Sequence, residues 1–210
     1  MEVRADSLWA GNEPIRAELF SIERLEEHAR SLAAAQPVTP EPAGGHPLAG
    51  RLAENAAVLL ESHRSIAKAT EEGGAVTPAA EWLLDNYYLV ERQIHDIRSD
   101  LPPRYYRQLP KLADGPFAGY PRVFGVAWAF VAHTDSRFDP EMLCRFVRAY
   151  QEVQPLAIGE LWALAITLRI VLIENLRRLG EGIVRNSAAR LQANALADRL
   201  LGVGGSAAEP

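Results

Sequence analysis

IGELWALAITLRIVLIENLRRL, residues 158–179, is the stretch from which the fold is read. Leu161, Leu164, Leu168, Leu172 and Leu176 recur at steps of three and four. Ala163, Ile166, Ile170 and Ile173 form a second apolar face beside them. A helix that is apolar on nearly all sides sits at the centre of a fold, wrapped by its neighbours. Glu160, Arg169 and Glu174 interrupt the stretch, and its longest uncharged run, residues 161–168, has eight residues. A spanning helix needs about 20 largely apolar residues, so the segment reads as a core helix. Arg169 within it calls for an ionic partner, because an unpaired buried guanidinium is costly. Glu160 and Glu174 are nine and five residues away, off its face, so the partner is expected on another helix.

Helical patterns continue in both directions. Toward the C-terminus, residues 183–201 read as a separate amphipathic helix through Val184, Ala188, Leu191, Ala195 and Leu200. The final GVGGSAAEP has a flexible-linker composition. Upstream, Asp139-Pro140-Glu141 is an N-terminal signature, with Asp capping, Pro in the first turn and Glu at the positive dipole end. It opens a helix that runs to about Gln154, before Pro155. Another helix is expected over residues 122–134. Residues 101–121 hold five prolines and two glycines, which exclude one continuous helix. They also carry Tyr105, Tyr106, Leu109, Leu112, Phe117 and Tyr120, so they read as an ordered connection draped over the core.

Thr77-Pro78 opens a helix whose seam is Leu83, Tyr87, Val90, Ile94, Ile97 and Leu101. Residues 47–72 form the helix before it, lined by Leu48, Leu52, Leu59, Ile66 and Ala69 and ended by Gly73-Gly74. The segment QPVTPEPAGGHP, residues 36–47, is a loop, and residues 13–35 are expected to be one helix from Pro14 onward. No strand is expected, since period-2 alternation is missing. The resulting expectation is an all-α, multi-helix orthogonal bundle of about six to eight helices with one long, irregular, proline-rich connection. Residues 1–40 are assigned to an N-terminal helix, 41–201 to a helical core domain and 202–210 to a tail.

Composition narrows the function. With 22 Lys+Arg against 27 Asp+Glu, the formal charge is −5, which argues against a nucleic-acid partner. The single cysteine, Cys144, rules out a disulfide framework and a thiolate metal cage. No apolar h-region follows the charged start, so a secretory signal is not expected and the chain reads as soluble. No phosphate loop of either standard glycine spacing occurs.

Candidate chemistry is sparse. His133, Asp135 and Ser136 are close in sequence, but a nucleophilic triad must converge in space beside an oxyanion hole. They fall in a turn just before Asp139, where capping and turn hydrogen bonds are the expected role. Glu91 and His95 lie one helical turn apart, and a metal site would need further ligands. Arg104, Tyr105, Tyr106 and Arg107 interleave basic and aromatic groups that could stack on a sugar, although plain anchoring of the loop is the simpler reading. Trp82, Trp128 and Trp162 are assigned to the core, whereas Trp9 lies in a polar stretch and is expected to dock. No catalytic residue, metal or cofactor is assigned. Trp162, Arg169, His133 and Asp139 are given structural or docking roles.

Five segments, in this order and spacing, resemble the N-terminal region of cyclic β-1,2-glucan synthases. They are AAEWLLDNYYLVERQIHDIRSDLP (79–102), RYYRQLPKL (104–112), GYPRVFGVAWAFVAHTDSRFDPE (119–141), RFVRAYQEVQPLAIGELWAL (145–164) and LIENLRRL (172–179). The likeness covers residues 77–201 well and the first 76 loosely. In Ala163-Leu164-Ala165, alanine stands where relatives often have proline, which makes this helix more regular. The resemblance implies a much longer parent, a membrane glycosyltransferase that builds β-1,2-glucan from UDP-glucose, with its transferase motifs downstream of this segment. It carries no catalytic residue onto these positions. It implies a non-catalytic module on the cytoplasmic side of the bacterial inner membrane. The partner would be the downstream glycosyltransferase and membrane region of the same chain. A stand-alone interaction module forming a homo-oligomer, or a weak glucan-binding module, is the alternative.

Overall fold

The computed structural model describes residues 11–39 and 47–201. Among them are seven helices: α1 (Ile22–Ala35), α2 (Leu48–Glu71), α3 (Pro78–Asp100), α4 (Pro103–Gln108), α5 (Arg122–His133), α6 (Pro140–Val153) and α7 (Ile158–Leu201). Two-residue strands β1 (Val38–Thr39) and β2 (Lys111–Leu112) pair antiparallel, with Val38 opposite Leu112. The fold is all-α, as the periodicity predicts, and this short ladder is the exception to the strand-free expectation. It forms because the ends of two proline-rich connections meet, and Ala113 N–H also donates to Pro37 O at 2.9 Å.

α7 is the axis. α2, α3 and α5 pack against it, while α1 packs chiefly on α6. Ala163, Thr167, Ile170, Val171 and Glu174 are buried along α7. The α3 seam is buried from Leu83 through Leu101, as its spacing predicts. Phe124 of α5 stacks on Tyr120 at 5.1 Å and lies near Phe117 and Trp128, joining the irregular connection to the core.

Four local expectations are corrected. The first helix begins at Ile22, capped by Ser21, and not at residue 13. Residues before it donate instead to α5 and α7: Ala17 N–H to Ala132 O at 2.9 Å, Phe20 N–H to His133 O at 3.2 Å, and Ile15 N–H to Asn175 Oδ1 at 2.6 Å. Backbone donors spent on other elements cannot also build a helix. Second, α7 runs unbroken through Gly180 and Gly182 to Leu201. A Cβ at Gly180 would stand 3.4 Å from Ser62 Cβ, so this glycine permits a close α2–α7 approach and does not end the helix. Third, residues 103–108 of the irregular connection form the short helix α4. Fourth, Trp82 and Trp162 are exposed, at 51% and 76%, and only Trp128 belongs to the core. Trp9 lies outside the described residues.

Candidate functional site

Two charged clusters buried against α7 position the rest. Arg122 of α5 grips Glu160 in α7's first turn, Nε to Oε1 at 2.8 Å and Nη2 to Oε2 at 2.5 Å. Glu160 also accepts from Ala157 N–H at 2.9 Å, one of the amides that a helix start leaves without an internal partner. Two turns on, Glu174 receives a two-point contact from Arg51 of α2 and a 2.8 Å bond from Arg178. Arg178 in turn donates to Glu13 O at 3.0 Å and lies over the Trp128 ring at 5.0 Å, fastening the N-terminal segment to the core. Burial lowers the Arg178 pKa, partly offset by Glu174. Burial also opposes the Arg51 charge, but the Glu174 bonds and field outweigh it and raise that pKa.

A polar cavity of about 360 Å³ opens beside this cluster, lined by Asn12, Arg51, Asn55, Glu174, Arg177 and Arg178 among others. Sequence reasoning missed these residues. Asn55 sits three after Leu52 and four before Leu59, on the α2 seam, and a polar residue at a seam position was the available signal. The i,i+4 spacing of Glu174 and Arg178 was a second one.

The larger concavity is apolar, about 380 Å³, formed by Ile66 and Ala69 of α2, Val76 of the α2–α3 turn, Ala80 of α3, and Val184 and Leu191 of α7. Beyond it α7 continues with Leu191, Leu196, Leu200 and Leu201 exposed.

The sequence-assigned residues lie at several separate places. In α4, Arg104 and Arg107 are exposed, while Tyr105 and Tyr106 are half-buried. Tyr105 donates its hydroxyl to Gly159 O. The Lys111 ammonium stands 4.5 Å from the Tyr106 ring centroid and donates to Tyr106 O at 2.7 Å. Burial pushes the Tyr106 pKa up. The four residues are neighbours, but their aromatic faces are committed to protein contacts.

His133 Nδ1 lies 2.7 Å from Glu18 O, and its ring stacks on Phe20 at 3.9 Å and neighbours His28 at 4.5 Å. Asp135 pairs with Arg16 at 2.5 Å, and Ser136 Oγ accepts from Asn175 Nδ2 at 2.8 Å. The histidine, acid and hydroxyl therefore face three different partners. Both Asp135 and Ser136 adopt positive φ, 51° and 61°, which makes the tight reversal between α5 and α6. Asp139 caps α6 through Glu141 N–H at 2.8 Å and Met142 N–H at 3.2 Å.

Arg169 pairs with Asp100 of α3 at 3.1 Å, a partner on another helix as expected, but both groups are partly exposed and not buried. That contact also fixes α3 antiparallel to α7, since Ala80 meets Ile183 at the other end. Trp82 and Trp162 consequently lie at opposite ends of the pair, about 30 Å apart along α7. Among the described residues no group of three or more His, Cys, Asp or Glu side chains could hold a metal ion. None of their helices is long and apolar enough to cross a membrane.

No family model matches the chain. It is similar to a part of the cyclic beta-(1,2)-glucan synthase NdvB of Rhizobium meliloti (strain 1021), 43% identical over 192 residues. The alignment covers 90% of this chain and 7% of that synthase. The resemblance read from the segment order thus has a counterpart in a named relative, and the chain spans a small part of that relative's length.

Proposed function

We propose that this chain is a non-catalytic helical module of a cyclic β-1,2-glucan synthase, which scaffolds or positions a glycosyltransferase region belonging to the same longer chain. The observation that carries the reading is the 43% identity along nearly the whole chain to a small part of such a synthase. The exposed leucines of α7, continuous with the apolar groove at Val76 and Val184, support it. Isolated surface apolar residues need no explanation, but a row leading into a groove has the form of a docking surface. In this reading the occupant is the remainder of the synthase, and the module lies on the cytoplasmic side of the bacterial inner membrane.

The test uses a full synthase chain that carries this module. Leu191→Ser, Leu196→Ser and Leu200→Ser together should leave the module's unfolding midpoint within about 0.5 kcal/mol per site, as for exposed positions. Glucan made from UDP-glucose should fall severalfold. Unchanged output with the triple variant would reject the scaffold role.

The same leucine row supports a second reading, a module that pairs with another copy of itself. Sedimentation at rising concentration separates the two, since self-pairing requires the apparent mass to grow and the triple variant to abolish that growth. Glucan contact at α4 rests on Arg104 and Arg107 being exposed, and calorimetric silence at millimolar β-1,2-glucan would remove it.

A further inference from the structure

We infer that the polar cavity between α2 and α7 is a binding site for a small oxyanion, a phosphate- or carboxylate-bearing ligand, held by Asn55 and Arg177. Two observations point there independently of the docking surface. Asn55 is 6% exposed, lines the cavity and has no hydrogen-bond partner on Nδ2. Arg177, on the adjacent turn of α7, lines the same cavity, and its buried Nε is also without a partner. Buried N–H groups are nearly always satisfied, so two such groups on one cavity wall call for an acceptor supplied from outside the chain.

The chemistry of the wall specifies what that acceptor carries. Both groups are donors only, so the ligand must present lone pairs. Guanidiniums outnumber carboxylates three to two around the cavity, through Arg51, Arg177 and Arg178 against Glu54 and Glu174. Glu174 is already held by Arg51 and Arg178, so it does not repel an incoming anion with a free carboxylate edge. Arg177 Nη1 is engaged by Asn12 Oδ1 at 3.2 Å and Glu181 Oε2 at 2.5 Å, which fixes the guanidinium plane and leaves Nε for the ligand. Guanidinium–oxyanion hydrogen bonds are among the strongest available to a protein. The cavity volume of about 360 Å³ admits a small ligand.

The full 210-residue protein, labelled with nitrogen-15, is titrated with inorganic phosphate, with malonate and with glucose at constant ionic strength. The expected result is a saturable shift of the Asn55 side-chain amide and Arg177 Nε signals with phosphate, with malonate, or with both. Phosphate alone assigns a phosphoryl ligand, and malonate alone a carboxylate. Arg177→Gln should weaken binding about tenfold, the loss of one charge-assisted bond. Asn55→Leu should do the same, and if that variant fails to fold, Arg177→Gln decides. Glucose shifting the signals as strongly as the anions, no saturation with either anion, or undiminished binding by Arg177→Gln would overturn the assignment.

Discussion

Replacing Glu160 by leucine removes one half of a pair that is almost wholly out of water, with side-chain exposures of 5% for Arg122 and 1% for Glu160. Arg122 would keep one acceptor, Pro155 O at 3.1 Å, and the Tyr150 ring 6.0 Å from its guanidinium. Ala157 N–H would lose its carboxylate as well. Stranding one charge of a buried pair costs about 3–5 kcal/mol. Domains are stable by about 5–15 kcal/mol in all, so this single change would consume a large share. At this size about 2–4 °C of melting temperature goes with each kcal/mol, which gives a fall of roughly 6–20 °C. Adding Arg122→Met removes the stranded charge. A buried pair replaced by apolar groups of similar volume is often neutral or better, so the double variant should recover most of the loss. Urea unfolding with linear extrapolation measures both, and an unchanged slope confirms that the same surface is exposed. A single variant costing under about 1 kcal/mol, or a double variant as unstable as the single, would refute the view that this pair anchors α7 to α5.

Two further predictions follow from the fold. Burial, helped by neighbouring His133, lowers the His28 pKa to about 4, and burial lowers that of His133 too, so both rings fold neutral. An unfolded chain takes up these protons below about pH 6.5, so stability falls as pH drops from 6.5 toward 4, by about 1–2 kcal/mol after allowance for solvent screening. The Arg145 hydrogen bond holds Glu26 below the usual carboxylate range, so its contribution is lost only at lower pH. Urea midpoints at pH 7 and pH 5 check this, and a His28→Gln variant should flatten the difference. Gly125→Ala places a Cβ 2.6 Å from Gln36 Nε2 and 3.2 Å from Leu112 Cδ1. Since Gln36 Oε1 accepts the Tyr150 hydroxyl at 3.1 Å, the substitution should cost about 1–3 kcal/mol by denaturant titration, and a neutral result would mean that the α5–β2 contact is looser than described.

Helix periodicity made the fold legible because most of its burial is local to one face per helix. The α3 seam at steps of three and four is buried at every position from Leu83 to Leu101. The misread elements are those whose partners are distant in sequence. Residues 13–20 carry a helical apolar stripe, yet their amides donate to Ala132, His133 and Asn175, and no local pattern contains those acceptors. Trp162 stands among apolar neighbours in sequence but on the outer side of α7, a side that is fixed only once α2, α3 and α5 have taken the others. The cavity at Asn55 was hidden for the same reason. Its walls come from α2, α7 and the segment at Asn12, and only the polar seam position of Asn55 marked it in advance.

The placement of charge along α7 bears on what its exposed end can do. Glu160, Glu174 and Arg178 anchor the first half of the helix to α5, α2 and the N-terminal segment. Such pairs add little net stability, but they penalise any slip in register, because a slip would strand a buried charge. The helix is 44 residues long, about 66 Å, and its last third carries mostly exposed side chains. That third would be marginal as a separate peptide in water, since helix nucleation is costly. As an extension of a clamped helix, the nucleation cost is already met, and the direction of the end is set by the clamped half. Leu191, Leu196 and Leu200 therefore emerge along a line fixed by buried ion pairs about 20–40 Å away. Weakening the Glu174 cluster should loosen that line without touching the leucines, so in a full synthase chain Glu174→Gln should lower glucan output together with the module's stability. Leucine-to-serine changes should lower output alone, and the difference between the two variants separates positioning by the helix from contact at its tip.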